Sequence, residues 1–364
     1  MILSRYIARR FLRMVFIVFV IFLWLMMLID MLDQMRRFAK DGITVGQAAV
    51  LSALRVPESL YTILPLIVIL GAVALFLGLA RSSELVVVRA AGRSGLRFLV
   101  APVVTALLLG LFAVAVLNPM VAGTSQRYEA MAGRLKHSGE DVLSISREGL
   151  WLRQGTGAGQ MVIHAERSNP DGTRLFDVTF LTFDEGGRPA TRIEAPEAQL
   201  GRGHWQLVRA KQWNLTLANP EAAARPEDSI RLPSDLTRDR IRASFGAPSA
   251  IPIWKLPEYI AGLERAGFSA RQHRIWMQME LALPFMLASM VLVAAGFTMR
   301  HTRFGGTGRM VLYALLAGFG LFFLRSFAQV LGENGQIPIL LAAWSPPLIA
   351  AMGALGLLLH LEDG

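Results

Sequence analysis

The chain contains no cysteine. That removes disulfides, thiolate nucleophiles and cysteine-type zinc sites together. Any part standing outside the cytosol must hold together by its own packing. Other chemistries are missing too. There is no G-x-x-x-x-G-K-[ST] loop, so ATP hydrolysis by the P-loop route is excluded. H-E-x-x-H and G-x-S-x-G are absent, which removes a zinc-protease pair and a serine elbow. The six histidines (His137, His164, His204, His273, His301, His360) are scattered without ligand spacing. Carboxylates within apolar runs are scarce: Asp30 and Glu280 stand at the ends of such runs, and neither is centrally placed. No catalytic residue, metal or cofactor is expected in this chain.

Apolar sequence is abundant. Hydrophobic residues make up 53% of the chain, and the mean hydropathy is +0.44. Six stretches dominate, near Phe11–Ile29, Ile63–Ala80, Phe98–Leu117, Leu281–Thr298, Met310–Leu331 and Leu340–Leu359. Each reaches or approaches the ~20 residues needed to cross a bilayer. A polar insert splits them three and three. The first stretch does not read as a cleavable signal, because its apolar part is too long and Asp30, Asp33, Arg36 and Arg37 follow it.

A formal charge of +10 could suggest nucleic acid, but its placement argues against that partner. Arginines gather at membrane borders: Arg5, Arg9, Arg10 and Arg13; Arg81, Arg89, Arg93 and Arg97; Arg300, Arg303 and Arg309. These clusters occupy alternate loops, which the positive-inside rule assigns to the cytoplasm. Both termini are therefore expected in the cytoplasm, and the insert between spans three and four on the outer side of the membrane.

Within the insert the period changes to that of a sheet. Leu175–Phe183 places Phe176, Val178 and Phe180 on one parity. The turn Glu185-Gly186-Gly187-Arg188 follows, then Thr191–Ala195, Ala198–Leu200, the turn Gly201-Arg202-Gly203 and a strand over His204–Ala210. Trp151, Trp205 and Trp213 supply apolar bulk. Asn219–Asp239 reads as a loop, and Leu256 opens a short helix to about Arg265. The fold class is thus an α-helical membrane protein of six spans with an inserted all-β, jellyroll-like domain. The expected division is 1–137 for spans one to three, 138–252 for the β domain, and 253–364 for a connector helix and spans four to six. A sheet with an open edge invites an added strand from a partner; a simple spacer is the alternative.

Three charged groups stand out. Between spans two and three, about 82–92, Ser83, Glu84, Leu85, Val88, Arg89 and Gly92 outline a short amphipathic helix. Serine caps it, Leu85 and Val88 share a face, and Gly92 stops it. Such a helix can dock into a groove on a soluble partner, or be an ordinary arginine-rich loop. Arg325 lies inside span five near Phe322, Gly318 and Gln329, where a charge faces either a cavity or, by snorkelling, the interface. Arg36, Arg37 and Lys40 end span one. They either pair with Asp30, Asp33 and Asp41 or form a patch for an anionic headgroup, since guanidinium binds phosphate oxygens in a fork. Arg127, Arg134 and Lys136 continue the basic character where span three leaves the membrane.

Taken together, these motifs resemble those of the lipopolysaccharide-export permeases, the LptF/LptG family, and its LptG branch in particular. The resemblance rests on Arg5-Tyr6-Ile7-Ala8-Arg9, Leu32-Asp33-Gln34-Met35-Arg36-Arg37, Ser83–Gly92, Gly149-Leu150-Trp151, Ile193-Glu194-Ala195, Gly203-His204-Trp205-Gln206-Leu207, Arg300–Gly306 and Leu341–Pro346. It implies a non-catalytic permease subunit of an ABC exporter that moves lipopolysaccharide from the inner membrane to a periplasmic jellyroll bridge. It further implies a homologous LptF-type permease, two copies of an LptB-type ATPase that bind ATP and magnesium, and an LptC-type single-span jellyroll protein. Ser83, Glu84, Leu85, Val88, Arg89 and Gly92 would meet the ATPase. Arg36, Arg37, Lys40, Arg134, Lys136 and Arg325 would meet lipopolysaccharide. Asp30, Gln278 and Glu280 depart from positions where the family often carries a base. The rivals are a lipoprotein-releasing permease, which would have four spans, a proton-driven carrier, and a membrane scaffold without transport.

Overall fold

The computed structural model describes residues 2–39, 42–82, 84, 95–135, 143–146, 149–156, 159–169, 171–184, 186–234, 236–237, 241, 247–299 and 307–362. The chain forms two compact units. One comprises Met1–Leu135, Ser249–Trp254 and Arg274–Gly364, the other Lys136–Pro248 and Lys255–His273.

Among the described residues, six helices are long and apolar enough to cross a membrane. Helix α1, Ile2–Arg37, has 36 residues. At 1.5 Å per residue it is about 54 Å long, well beyond the ~30 Å of hydrocarbon, so both charged ends project. Helix α2, Val45–Thr62, opens with a capping box in which Thr44 and Gln47 satisfy each other's backbone N–H groups. Its buried face, Ala48, Leu51, Val56 and Leu60, packs on α1. Ile63 alone separates it from α3, Leu64–Arg81, whose apolar surface runs around the whole helix. A helix apolar all round is stable only when surrounded, and 67% of the α3 apolar window is buried.

Span three is built from α4, Gly95–Phe112, a π-helical turn over Ala113–Leu117, and α5, Asn118–Leu135. Helix α5 carries the span beyond its apolar run to Leu135. Helices α7 (Arg271–Thr298), α8 (Thr307–Glu333) and α9 (Ile339–Glu362) complete this unit from residue 274 onward. Small residues set the closest approaches. A Cβ at Gly71 of α3 would sit 2.7 Å from Val15 Cγ2 on α1. At Gly110 of α4 it would collide with the Pro284 backbone of α7. In α7, 72% of the apolar window is buried, against only 6% in α1 and 11% in α8. Helices α3 and α7 are therefore the interior, and α1 and α8 present Phe16, Trp24, Leu28, Phe319, Phe323 and Phe327 outward.

The second unit holds a seven-stranded antiparallel sheet whose strands pair in sequence order. They are β1 (Leu143–Ser146), β2 (Gly149–Thr156), β3 (Gly159–Ser168), β4 (Arg174–Phe183), β5 (Pro189–Leu200), β6 (His204–Asn214) and β7 (Arg225–Pro233). The inserted all-β region expected from the sequence is present, and its connectivity is a meander. Leu150, Ile163, Phe180, Ile193, Trp205 and Leu207 form its core, with Trp205 edge-on to Phe180 at 6.1 Å between centroids. Of the three tryptophans expected to supply bulk, Trp205 alone is fully buried. Trp151 is 40% exposed, and Trp213 lies under Arg192 and Lys211 at the surface.

A fault line crosses the middle of the sheet. In β4 the buried residues are Leu175, Val178 and Phe180; in β5, Ile193, Ala195 and Ala198; in β6, Trp205, Leu207 and Ala210. Each strand changes parity, at Asp177, Pro196 and Arg209, positions that no ladder pair includes. Pro196 has no N–H to donate, and its neighbours Asp177 and Arg209 both adopt φ 53°. The expected grouping of Phe176 with Val178 and Phe180 is corrected by this shift: Phe176 falls on the other face. The two segments expected on either side of Pro196 are one strand. Residues 219–239, read as loop, contain β7, which the sequence hides because Ile230 is its one buried side chain. As an edge strand it tolerates both charge and proline.

Helix α6, Leu256–Arg265, follows, as the sequence indicates. Gly267, at φ 87°, turns the chain so that Ser168 N–H donates to Ala266 O at 2.8 Å. A side chain at Gly267 would strike the Ser168 carbonyl.

Candidate functional site

At the amino-terminal end of α1 four side chains converge. Arg10 Nη1 donates to Glu84 Oε1 at 2.7 Å and to Tyr6 Oη at 2.6 Å. Tyr6 Oη donates to Glu84 Oε2 at 3.2 Å, and Ser82 Oγ donates to Glu84 Oε1 at 2.8 Å. Helical spacing explains the arrangement, because Tyr6 and Arg10 are four residues apart on one face. Partial burial pushes the Glu84 carboxyl up, but hydrogen bonds from Arg10, Ser82 and Tyr6 outweigh it and hold the group below the ordinary carboxylate range. Glu84 is therefore charged at neutral pH. The pair is half-exposed, so it stabilises by only about 0–1 kcal/mol. Its consequence is positional: it ties the segment after α3 to α1. Of the six residues assigned to an amphipathic helix here, Glu84 is described; Ser83, Leu85, Val88, Arg89 and Gly92 lie outside the described residues.

The other end of α1 is arranged differently. Arg55, from α2, lies 3.6 Å from Asp30 and 3.4 Å from Asp33. It also lies over the Tyr128 ring of α5, 5.6 Å from the centroid. Buried Gln34 donates to Tyr128 Oη at 3.2 Å and to Asp30 at 3.3 Å. Two of the three acids that could have neutralised Arg36 and Arg37, Asp30 and Asp33, are thus paired with Arg55, and Asp41 lies outside the described residues. Arg36 is exposed and makes no ion pair among the described residues; Arg37 donates to Tyr128 Oη at 3.3 Å. Arg134 is exposed on α5, six residues beyond Tyr128 and roughly 9 Å further along the helix axis, so it is not drawn into contact with them. Lys40 and Lys136 lie outside the described residues.

Arg325 belongs to a third group. Glu280 of α7 is fully buried and accepts a short hydrogen bond from Tyr61 Oη of α2. Arg325 acts electrostatically on both, and Asn118 adjoins them. Asn118 also accepts from Ile253 N at 2.9 Å. The arginine therefore has a carboxyl group within electrostatic reach in its own unit. Sequence reasoning set Glu280 aside as a terminal residue. Helix α7 starts nine residues before it, so it is enclosed rather than terminal. One acid and one base in separate spans was the available signal. Arg55 is legible in the sequence as one of the bases offset by Asp30 and Asp33, but nothing there singles it out as the one they pair with.

No group of three or more His, Cys, Asp and Glu side chains suited to a metal occurs among the described residues.

Comparison with known proteins bears on these arrangements. Residues 5–360 match the family model described as lipopolysaccharide export system permease LptF/LptG. The lipopolysaccharide export system permease protein LptG of Haemophilus influenzae is 25% identical over 350 residues, covering 95% of each chain. The protein of the same name from Escherichia coli K12 is 25% identical over 357 residues, covering 96% of this chain and 94% of its own.

Proposed function

The chain belongs to the lipopolysaccharide export permease family LptF/LptG, and on that premise we propose that it extracts lipopolysaccharide from the inner membrane and passes it to a periplasmic bridge. It is a multi-pass membrane permease. In our reading both termini lie in the cytoplasm and the β unit lies in the periplasm. A homologous permease completes the transport cavity, two copies of a partner ATPase bind ATP and magnesium, and a single-span jellyroll protein receives lipid at the sheet edge. The chain itself performs no chemistry.

Force enters at the segment that contains Glu84, which the Arg10 and Tyr6 contacts join to α1. Movement of that segment therefore acts on α1, the least buried span, as well as on α3, which it follows directly in the chain. At the far end of the same helix, Arg36 and Arg37 receive lipid A phosphates, with Lys40, Arg134 and Lys136 extending the basic surface. Arg325, which acts electrostatically on Glu280 and Tyr61, is the member of this set least available to a ligand. Transfer of acyl chains to the apolar interior of the β unit avoids about 0.8 kcal/mol for each CH₂ that water would otherwise meet.

The observation that carries this reading is the pairing of Arg55 with Asp30 and Asp33, which leaves two guanidinium groups exposed beside them. The experiment is ATP-driven release of lipopolysaccharide from proteoliposomes holding the chain and its partners, with a periplasmic acceptor outside. Release that depends on ATP is expected. Release at the same rate without nucleotide would overturn the reading.

A further inference from the structure

We propose that the amino-terminal end of α1 carries a binding site for the phosphate-bearing headgroup of an anionic phospholipid, separate from the arginines at the other end of the helix. An open cavity of about 770 Å³ lies there, lined by Arg5, Tyr6, Arg9, Arg10, Arg13 and Glu84, with Ile2 and Met14 as its apolar members. Arg5, Arg9 and Arg13 are four residues apart and lie on one exposed face. Opposite them, Ile7, Phe11 and Val15 form the buried stripe that fixes the rotation of the helix.

Among the described residues one acid faces this cavity, and both its oxygens are already used. Glu84 Oε1 accepts from Arg10 and Ser82, and Oε2 accepts from Tyr6. Arg5, Arg9 and Arg13 have no ion-pair partner among the described residues. Three planar forks along one wall suit the paired non-bridging oxygens of a phosphodiester. Immediately along the helix, Leu12, Phe16 and Ile17 are exposed and apolar. A ligand is therefore offered anionic recognition at one level and hydrocarbon at the next, which a phospholipid satisfies and a soluble anion does not. Positive charge alone would serve orientation in the membrane, but orientation needs no cavity and no acid held aside. The proposal rests on the reading that this end of α1 lies at the cytoplasmic leaflet.

The test is native mass spectrometry of the full chain in detergent with phosphatidylglycerol or phosphatidylcholine of identical tails. Phosphatidylglycerol should be retained at least fivefold more. Combined Arg5→Gln, Arg9→Gln and Arg13→Gln should abolish that preference. The corresponding Lys variants keep the charge, and with it insertion, and should lose about half of it, because ammonium lacks the fork. Unchanged retention in the Gln variant would overturn the proposal. Displacement by millimolar inorganic phosphate would overturn it in favour of a free anion. Loss of a co-purified acidic protein, with lipid retention intact, would assign the patch to protein contact instead. Because the chain has no cysteine, Ser4→Cys with an impermeant maleimide reports the side of the membrane independently. Labelling from the periplasm would defeat the orientation reading while leaving the lipid preference to be judged on its own.

Discussion

Both ends of α1 carry arginines beside acids, yet the two ends resolve that proximity in opposite ways. At the amino-terminal end the acid comes from another segment, Glu84, and takes an arginine of α1 itself. At the carboxy-terminal end the acids are α1's own, Asp30 and Asp33, and they take an arginine from α2. The first arrangement fastens α1 to the chain after α3. The second fastens α1 to α2 and keeps Arg36 and Arg37 open. Similar residue types thus give a fastening at one end and a receptive surface at the other, according to which helix supplies the counter-charge.

The sharpest way to break this contrast is to reverse Arg36 and Arg37 to glutamate. ATP-driven lipopolysaccharide release should then fall at least tenfold, and release at the native rate would reduce the pair to orientation signals. Arg55→Gln should produce a smaller loss, on the order of threefold, because Asp30 and Asp33 become free to draw in Arg36 and Arg37. Adding Asp30→Asn and Asp33→Asn should restore release, an outcome that simple loss of packing by Arg55 would not give. At the other end, Glu84→Ala should lower ATPase co-purification several-fold. Arg10→Gln should lower it less, within the roughly fivefold that corresponds to about 1 kcal/mol for an exposed pair.

The smallest effect is one of pH. The Glu84 carboxyl is held low in the folded chain, so its contribution to stability is present above the ordinary carboxylate range and is lost as pH falls through the folded value. The difference in melting midpoint between the native chain and Glu84→Gln should therefore stay constant from neutral pH down to roughly 5 and close only in stronger acid. A difference that vanished near pH 6 would show that another group titrates there.

Where burial follows length or period, the sequence is readable. Six apolar runs announce six spans because nothing but hydrocarbon tolerates them. Their ends are less legible: α1 extends well past Phe11–Ile29 because charged residues continue a helix as readily as apolar ones once it projects into water. Helix α2 was missed although Thr44 and Gln47 spell a capping box, since its moderate apolarity does not compete with the spans around it. In the β unit, parity arguments hold within each half-strand and fail across Pro196, where the sheet inserts one residue in three neighbouring strands. The exposed basic pair of Arg36 and Arg37 was visible in the sequence, but its availability was not. That depends on Arg55, eighteen residues further on, and only the packing of α2 against α1 decides which base the acids choose.

The π-helical turn at Ala113–Leu117 bears on that choice from a third direction. Such a turn is an α-helix carrying one surplus residue, and every residue of an α-helix advances the azimuth by about 100°. Its presence sets the heading of everything beyond it in span three, including the Tyr128 hydroxyl that meets Gln34 and Arg37 and the Asn118 amide beside Glu280. Excising a single residue there would leave hydropathy almost untouched while swinging both groups a quarter-turn or more away from their neighbours. The span thus behaves as a keyed shaft, in which one extra tooth, rather than any side chain, aligns two distant polar clusters.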